Sequence, residues 1–120
     1  TSVSIGGDAL IGTTIAELLA LFEEDPQTRA VVVFSEPGTS QEEEAADLIL
    51  RGGFTKPLIA YIAGRFTEHM PEGTVFGHAA ALISGNYGRP SLKAARLREA
   101  GAHVLDDFDH LIPTLRKILG

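Results

Sequence analysis

The sequence predicts an α/β fold in which a doubly wound parallel sheet of about four to five strands carries helices on both faces, as three layers. The first observation is a pair of short apolar runs, AVVVFSE at 30–36 and PLIAYIAG at 57–64, which are typical of strands buried on both faces of a parallel sheet. The second is that amphipathic helical segments alternate with such runs about four times. At 120 residues the chain fits one domain with a core of its own.

The first elements are an extended segment, TSVSIGG at 1–7, which resembles a shorter strand, and a predicted helix over 14–23. In that helix the apolar side chains recur at the i, i+3, i+4, i+7 spacing of one helical face. They are Ile15, Leu18, Leu19 and Phe22. Thr13 or Thr14 is placed to cap the amino terminus, and EEDPQ ends the helix.

The second helix is predicted over 40–50, between the two apolar strands. Ser40 is followed three residues later by Glu43, which is the pattern of a capping box, and RGG stops the helix. The acidic run EEE at 42–44 is expected to form a solvated first turn favoured by the helix dipole. The side chains expected to be buried are Ala46, Leu48 and Ile49.

Two further helices flank the last short strand, AHVLDD at 102–107. The third helix is predicted to start at Ser91 and to stop at Gly101, with Leu92, Ala95 and Leu97 on its apolar side. The fourth carries Leu111, Ile112, Leu115, Ile118 and Leu119. These four helices and the extended segments between them give the alternation of strands and helices that is typical of a parallel sheet.

Composition and charge exclude several classes of function. The net charge of −6 is spread through the chain and no cluster of Lys and Arg is present, so we do not expect a nucleic-acid partner. No apolar run approaches the roughly 20 residues that a membrane helix needs, and we expect no membrane partner. The chain has no cysteine and no visible leading signal segment, which favours a cytoplasmic or organelle-matrix location.

The candidate catalytic residues are His78 and Glu36. Ligands of doubly wound sheets bind beyond the carboxyl ends of the strands, and the longest loop there runs for about fourteen residues, from Gly64 to Gly77, directly before His78. A neutral imidazole is a nucleophile at pH 7, but it needs a partner that fixes its tautomer. Glu36 lies at the carboxyl end of the neighbouring strand, where such a carboxylate is expected.

The residues alone leave other interpretations open. His78 is also compatible with a hydrogen-bonded loop or core group, and Glu36 with a carboxylate that caps the next helix. His69, His103 and His110 lack the spacing of metal ligands, so we expect them on the surface and predict no metal site. The three glycines Gly6, Gly7 and Gly12 follow neither G-x-G-x-x-G nor the Walker pattern, which disfavours a nucleotide cradle within this chain.

An ordered set of motifs adds a family resemblance. The segments IGGD, GTT, LFEEDPQT, SEPGTSQEEEAA, KPLIAYIAG and GHAAALISG resemble the carboxyl-terminal ligase domain of the succinyl-CoA synthetase α subunit and its relatives, which include malate–CoA ligase and ATP-citrate lyase. The match runs from about Ile5 to the end of the chain. The histidine motif and the acidic helix start are specific in combination.

The resemblance implies a flavodoxin-like domain of an enzyme that joins a carboxylic acid, with succinate expected, to coenzyme A. In that family the histidine at the position of His78 takes the phosphoryl group of an acyl phosphate, and the glutamate at the position of Glu36 hydrogen-bonds it. Coenzyme A and ATP or GTP with Mg would bind mainly outside this chain. The implied partners are an ATP-grasp β subunit or domain and a CoA-binding domain, in a hetero- or homo-oligomer.

The resemblance also implies that residues 1–120 are a single CoA-ligase domain lacking the first strand and helix of the family. A second hypothesis belongs to another class of function. The chain would then be a catalytically silent relative of the ligase domain that serves oligomerisation or regulation.

Overall fold

A computed structural model describes residues 1–8, 10–71, 73–74 and 83–120 of the chain. The elements follow in the order α1 (Ile15–Glu24), β1 (Val31–Ser35), α2 (Gln41–Leu50), β2 (Leu58–Ile62), a 3-10 helix (Arg65–His69), α3 (Pro90–Glu99), β3 (His103–Leu105), a second 3-10 helix (Phe108–His110) and α4 (Leu111–Leu119). The predicted α/β class is confirmed, and this arrangement is consistent with a flavodoxin-like fold.

The sheet is parallel, with the strand order β1-β2-β3. Val31 is in register with Leu58, and Ile59 with His103. The described residues thus form three strands, fewer than the four to five predicted, because residues 1–7 form no strand. A strand is stable only when a neighbour pairs with its backbone, and in the part of the chain that the structure describes no strand lies beside residues 1–7.

The core lies between one face of the sheet and the helices α1, α2 and α3. Alternate residues of a strand point to opposite faces, so Leu58, Ala60 and Ile62 of β2 face this core together. The helices contribute Ile15 and Leu19 of α1, Ala45, Ala46 and Leu48 of α2, and Ala94 and Leu97 of α3, and Phe54 fills the space before β2. The prediction that Ala46 and Leu48 are buried is therefore confirmed.

The opposite face of the sheet carries an aromatic cluster. The rings of Phe34, Tyr61 and Phe108 lie with their centroids 5.3 to 5.7 Å apart, and α4 packs against β2 on the chain segment that follows Phe108. Phe34 nevertheless remains 63% exposed and Val32 40% exposed. Strand β1 is thus less covered than β2, although both have apolar sequences.

The ends of α1 and α2 differ in how their backbone groups are satisfied. The predicted cap of α1 is confirmed: the Thr14 hydroxyl accepts a hydrogen bond from the Glu17 amide at 3.2 Å, and the Glu17 carboxylate accepts one from the Thr14 amide at 2.8 Å. The predicted capping box of α2 is wrong. The Ser40 hydroxyl donates to Glu44 at 2.8 Å and caps no backbone amide, because Glu43 is engaged elsewhere.

Helix α3 is rotated relative to the face that the sequence predicted. Its buried residues are Pro90, Lys93, Ala94 and Leu97, which keep the i, i+3, i+4, i+7 spacing. Leu92 is instead 43% exposed, and Ala95 is exposed as well. The prediction was wrong because it ranked a leucine and an alanine above a lysine for burial, whereas the lysine finds charged partners inside the protein.

An open groove with a volume of about 960 Å³ separates residues 1–7 from the outer edge of β1. Its walls include α1, the start of α2, and Leu115 and Leu119 of α4. Within the described ranges, no helix is long and apolar enough to cross a membrane.

Candidate active site

The candidate site lies at the carboxyl ends of the parallel strands, where β1 runs into the turn formed by residues 36–40, here called the Glu36 turn. Glu36 directly follows the last residue of β1, the position that the sequence predicted, and it is exposed. The carbonyl of Ser35 accepts a hydrogen bond from the Ala63 amide at 2.8 Å, which fastens the end of β1 to the end of β2. The Ser35 side chain is buried, and among the described residues its hydroxyl has no hydrogen-bond partner.

The Glu36 turn is held against two neighbouring loops. Pro37 and Gly38 are buried, and the Gly38 amide donates to the carbonyl of Gly88 at 2.9 Å. Pro37 packs against Gly64 at the end of β2: a Cβ atom at Gly64 would lie 2.8 Å from Pro37 Cγ. Gly64 also has a φ of +77°, so the close approach and the backbone conformation both require glycine.

A buried lysine of α3 holds the rest of the turn. The Lys93 side chain is 0% exposed, and its ammonium group donates to the Thr39 carbonyl at 2.7 Å, to the Glu42 carboxylate and to Glu43 Oε2 at 3.0 Å. The prediction of a solvated acidic first turn is therefore wrong for Glu42, which is 4% exposed, and it holds for Glu44, which is exposed. Burial of these charges is possible because each is paired with an opposite charge.

The loop after β2 is tied down at its start. The 3-10 helix at 65–69 follows directly after Gly64, whose carbonyl accepts hydrogen bonds from the amide and the hydroxyl of Thr67. Glu68 accepts hydrogen bonds from the amide and the hydroxyl of Ser91, at 2.6 and 2.9 Å, and so caps the first turn of α3. The predicted long loop therefore carries a short helix, and it is fastened to the helix that follows the histidine segment.

A charged cluster fastens the same 3-10 helix to the end of β3. Asp106 accepts hydrogen bonds from Arg65 at 2.6 Å and from Arg98 at 2.8 Å. The hydrogen bonds from Arg65 and then Arg98 lower the pKa of the Asp106 carboxyl below its ordinary value of 3.8. These groups are well exposed to solvent, so we expect the cluster to contribute only modestly to the stability of the fold.

His78 lies outside the described residues, so its contact with Glu36 stays a prediction. The structure does describe both flanks of its segment. On the near side the chain is fixed at Gly64 and the 3-10 helix, and on the far side Ser84 and Tyr87 form an antiparallel bridge before Gly88 meets the Glu36 turn. The same turn therefore contacts described residues on both sides of the chain segment that contains His78, at Gly64 and at Gly88.

The other histidines occupy surface positions. His69, His103 and His110 are all exposed, as predicted. No group of three or more metal-ligating side chains occurs within the described ranges.

Sequence reasoning missed one charged residue of this edge. Lys93 follows Pro90 by three residues and precedes Leu97 by four, so it lies on the buried face of α3. The signal was present in that spacing, together with the three consecutive glutamates of the helix that α3 packs against. The edge as a whole presents an exposed carboxylate on a turn that three separate chain segments hold in place. Such a carboxylate can orient an imidazole by accepting a hydrogen bond from one ring nitrogen.

Comparison with known proteins gives concordant matches. Residues 1–103 match the family described as CoA-ligase. A subunit of an ADP-forming sulfoacetate–CoA ligase from Acholeplasma sp is 45% identical over 104 residues, which cover 87% of this chain and 34% of that protein. Subunit alpha 1 of the ADP-forming succinate–CoA ligase of Archaeoglobus fulgidus is 41% identical over 119 residues, which cover 99% of this chain and 39% of that protein.

A solved structure matches as well. ATP citrate lyase from Methanosaeta concilii, in complex with (3S)-citryl-CoA, superposes with a TM-score of 0.87 at 26% sequence identity. The match covers 94% of this chain and 18% of that chain. The chain thus spans only 34% to 39% of the two relatives above and less of the lyase.

Proposed function

Because this chain belongs to the CoA-ligase family, we propose that it forms the ligase domain of an acid–CoA ligase that releases a nucleoside diphosphate, with His78 as its phosphoryl carrier. The observation that supports this role best is the position of Glu36. Glu36 is an exposed carboxylate at the carboxyl end of β1, on a turn that contacts described residues on both sides of the segment that contains His78.

The proposed chemistry is a reversible phosphoryl transfer. In the direction of ligation, a nucleoside triphosphate phosphorylates His78 and leaves as the diphosphate, and the phosphoryl group then passes to the carboxylate of the acid. The reverse direction proceeds in two steps. One ring nitrogen of neutral His78 attacks the phosphorus of an acyl phosphate, an N–P bond forms, and the P–O bond to the acyl group breaks with its electron pair leaving on the carboxylate. Glu36 accepts a hydrogen bond from the other ring nitrogen, which keeps the attacking nitrogen unprotonated and stabilises the positive charge that develops on the ring. An oxygen of a nucleoside diphosphate then attacks the same phosphorus, and the N–P electron pair returns to the ring.

The acid substrate, the nucleotide and coenzyme A belong to the same proposal. The matched proteins are named as subunits of succinate–CoA and sulfoacetate–CoA ligases, and we propose succinate as the acid. The chain covers about two fifths or less of those proteins, which supports nucleotide-binding and CoA-binding parts outside it, as an ATP-grasp subunit or domain and a CoA-binding domain.

The open edge of β1 supports a further part of the proposal, that this domain is completed by one more strand and a helix. Parallel sheets are normally covered on both faces, yet Val32 and Phe34 of β1 are exposed and a groove of about 960 Å³ runs along that strand. A strand placed in the groove would pair with β1 on one side and give residues 1–7 the neighbour that they need to become a strand.

The test is phosphorylation of the protein in its native assembly, purified with its partners through an affinity tag. Incubation with ATP or GTP labelled in the γ-phosphate is expected to place an acid-labile, base-stable label on this chain. The label is expected to vanish in His78→Ala and to persist in His69→Ala, a control at an exposed histidine on the same loop. Glu36→Gln should slow labelling by about 10²-fold, the loss that orienting and acid–base groups commonly cause.

Absence of the label would separate two alternatives, a ligase that works without a phosphohistidine on this chain and the catalytically silent module. If the assembly forms acyl-CoA but no label reaches this chain, then the phosphohistidine proposal is wrong. A native assembly with neither label nor ligase activity would instead support a catalytically silent module.

A further inference from the structure

The feature that the proposed function leaves unexplained is the buried ammonium of Lys93. All three of its donor positions are used, and all three acceptors belong to residues 39–43, which begin three residues after Glu36. Taking a lysine and a carboxylate out of water carries a large desolvation cost, and replacing such a pair with apolar side chains is often neutral or stabilising. Stability alone therefore gives a weak reason for this arrangement.

The backbone that Lys93 holds is strained. Thr39 has a φ of +53°, which is the left-handed region. A β-branched residue is rarely found there, and such a conformation persists only where the surrounding contacts enforce it. The hydrogen bond from Lys93 to the Thr39 carbonyl is a direct enforcing contact, since it fixes the orientation of the peptide group that follows the strained residue.

The strain has a geometric consequence for the preceding residues. Gly38 also has a positive φ, of 92°, so two consecutive residues of left-handed conformation reverse the chain between Glu36 and α2. Pro37 packs against Gly64, and the Gly38 amide donates a hydrogen bond to the Gly88 carbonyl. If Thr39 relaxed to an ordinary conformation, the chain would leave this path, and Glu36 would move relative to the two loop ends that Pro37 and Gly38 contact.

We propose that Lys93 is a positioning residue for Glu36: by bridging the Thr39 carbonyl to the first-turn glutamates of α2, it holds the Glu36 turn in the conformation that aims the carboxylate at His78. This inference rests on the proposed function of His78 and Glu36. Lys93 touches no reacting atom in this scheme and acts through the backbone of the turn.

The experiment measures the rate of γ-phosphate labelling of this chain in its native assembly, with ATP and GTP as the labelled nucleotides. Lys93→Met is expected to lower the maximal labelling rate by about 10-fold to 10²-fold, the loss that a misplacement of about 1 Å causes, with little change in the nucleotide concentration for half-maximal rate. The matched control is Lys56→Met. Lys56 also donates to two backbone carbonyls, those of Phe22 and Asp25, but these residues are not part of the Glu36 turn. The labelling rate of the Lys56→Met variant should therefore stay at the wild-type value.

The action through Glu36 is tested by combining substitutions. If Lys93 acts by orienting Glu36, then Lys93→Met should cause little further loss in a Glu36→Gln background, because the carboxylate that it positions is already absent. Losses that multiply in the double variant would assign Lys93 to a general structural role and overturn the inference.

A variant that fails to fold would not decide the matter, so a second variant is needed. Lys93→Met with Glu42→Gln removes both buried charges together and leaves only Glu43, whose side chain is 35% exposed, without its lysine partner. We expect this variant to fold, as judged by its thermal transition, and still to label slowly. Wild-type labelling by the folded double variant would refute the inference. An unlabelled wild-type protein would instead refute the proposed function itself, so the two failures are distinguishable.

Discussion

The contact between Gly64 and Pro37 leads to a quantitative prediction for Gly64→Ala. An alanine at position 64 would be destabilised for two reasons. The first is the backbone conformation, since a φ of +77° costs about 1–2 kcal/mol for a residue with a Cβ atom. Its Cβ atom would also lie 2.8 and 2.9 Å from Pro37 Cγ and Cδ. Overpacking of this kind costs about 1–3 kcal/mol. The free energy of unfolding should therefore fall by about 2–5 kcal/mol.

Gly52 provides a matched control for the steric part of this loss. It has the same φ of +77°, but a Cβ atom there would meet nothing within 4 Å. Gly52→Ala should therefore lose only the backbone cost of about 1–2 kcal/mol. The difference between the two variants, about 1–3 kcal/mol, measures the clash with Pro37.

The assay is equilibrium unfolding in urea, with the midpoint and slope fitted for each variant under identical conditions. Pro37→Ala removes the Cγ and Cδ atoms that the new methyl group would meet, so Gly64→Ala in that background should cost no more than Gly52→Ala does. Equal losses for Gly64→Ala and Gly52→Ala in the wild-type background would refute the close packing of the Glu36 turn on the end of β2. In the labelling assay, Gly64→Ala should slow the proposed phosphorylation of His78, and Gly52→Ala should not.

Three further predictions concern the cap, the core and the charged cluster. Thr14→Ala should lower the free energy of unfolding by about 1 kcal/mol through loss of the capping box, whereas Thr13→Ala should change it by less than about 0.5 kcal/mol; equal effects in urea unfolding would contradict the cap. Phe54→Ala should cost about 3–5 kcal/mol because the ring is 2% exposed, and a loss below about 2 kcal/mol would contradict its packing in the core. Asp106 has a lowered pKa, so its contribution to stability is present above its ordinary value of 3.8 and is lost as the pH falls through the lower folded value. Asp106→Asn should therefore flatten the decline of unfolding free energy on acidification, and an unchanged slope would refute the role of the Arg65 and Arg98 hydrogen bonds.

Local sequence patterns predicted much of the fold. The apolar runs at 30–36 and 57–64 contain β1 and β2, and the spacing of Ile15, Leu18, Leu19 and Phe22 indicated α1 together with its cap at Thr14. These features depend on neighbours within about one turn or one strand, which a sequence shows directly. The family identification from the motifs at Glu36 and His78 is also confirmed, because those motifs combine several short segments in a fixed order.

The failures share one cause, which is that the deciding partner is distant in the chain. Glu43 follows Ser40 at the spacing of a capping box, but Lys93, fifty residues away, binds its carboxylate instead. The contact between α2 and α3 also explains why the buried face of α3 was predicted wrongly. Lys93 of α3 can be buried because the Glu42 carboxylate of α2 pairs with it. The segment at 1–7 has the composition of a strand, but composition cannot supply the neighbouring backbone that a strand needs.

Because the Lys93 side chain is fully buried, its chemical modification can report the local separation of α3 from α2. The chain has three lysines, and Lys117 is exposed while Lys93 is wholly enclosed, with each of its protons engaged. An amine-reactive acylating reagent in solution should therefore modify Lys117 at once and reach Lys93 only when α3 separates from α2. The ratio of the two modification rates, read by peptide mass spectrometry, gives the free energy of that separation without any denaturant.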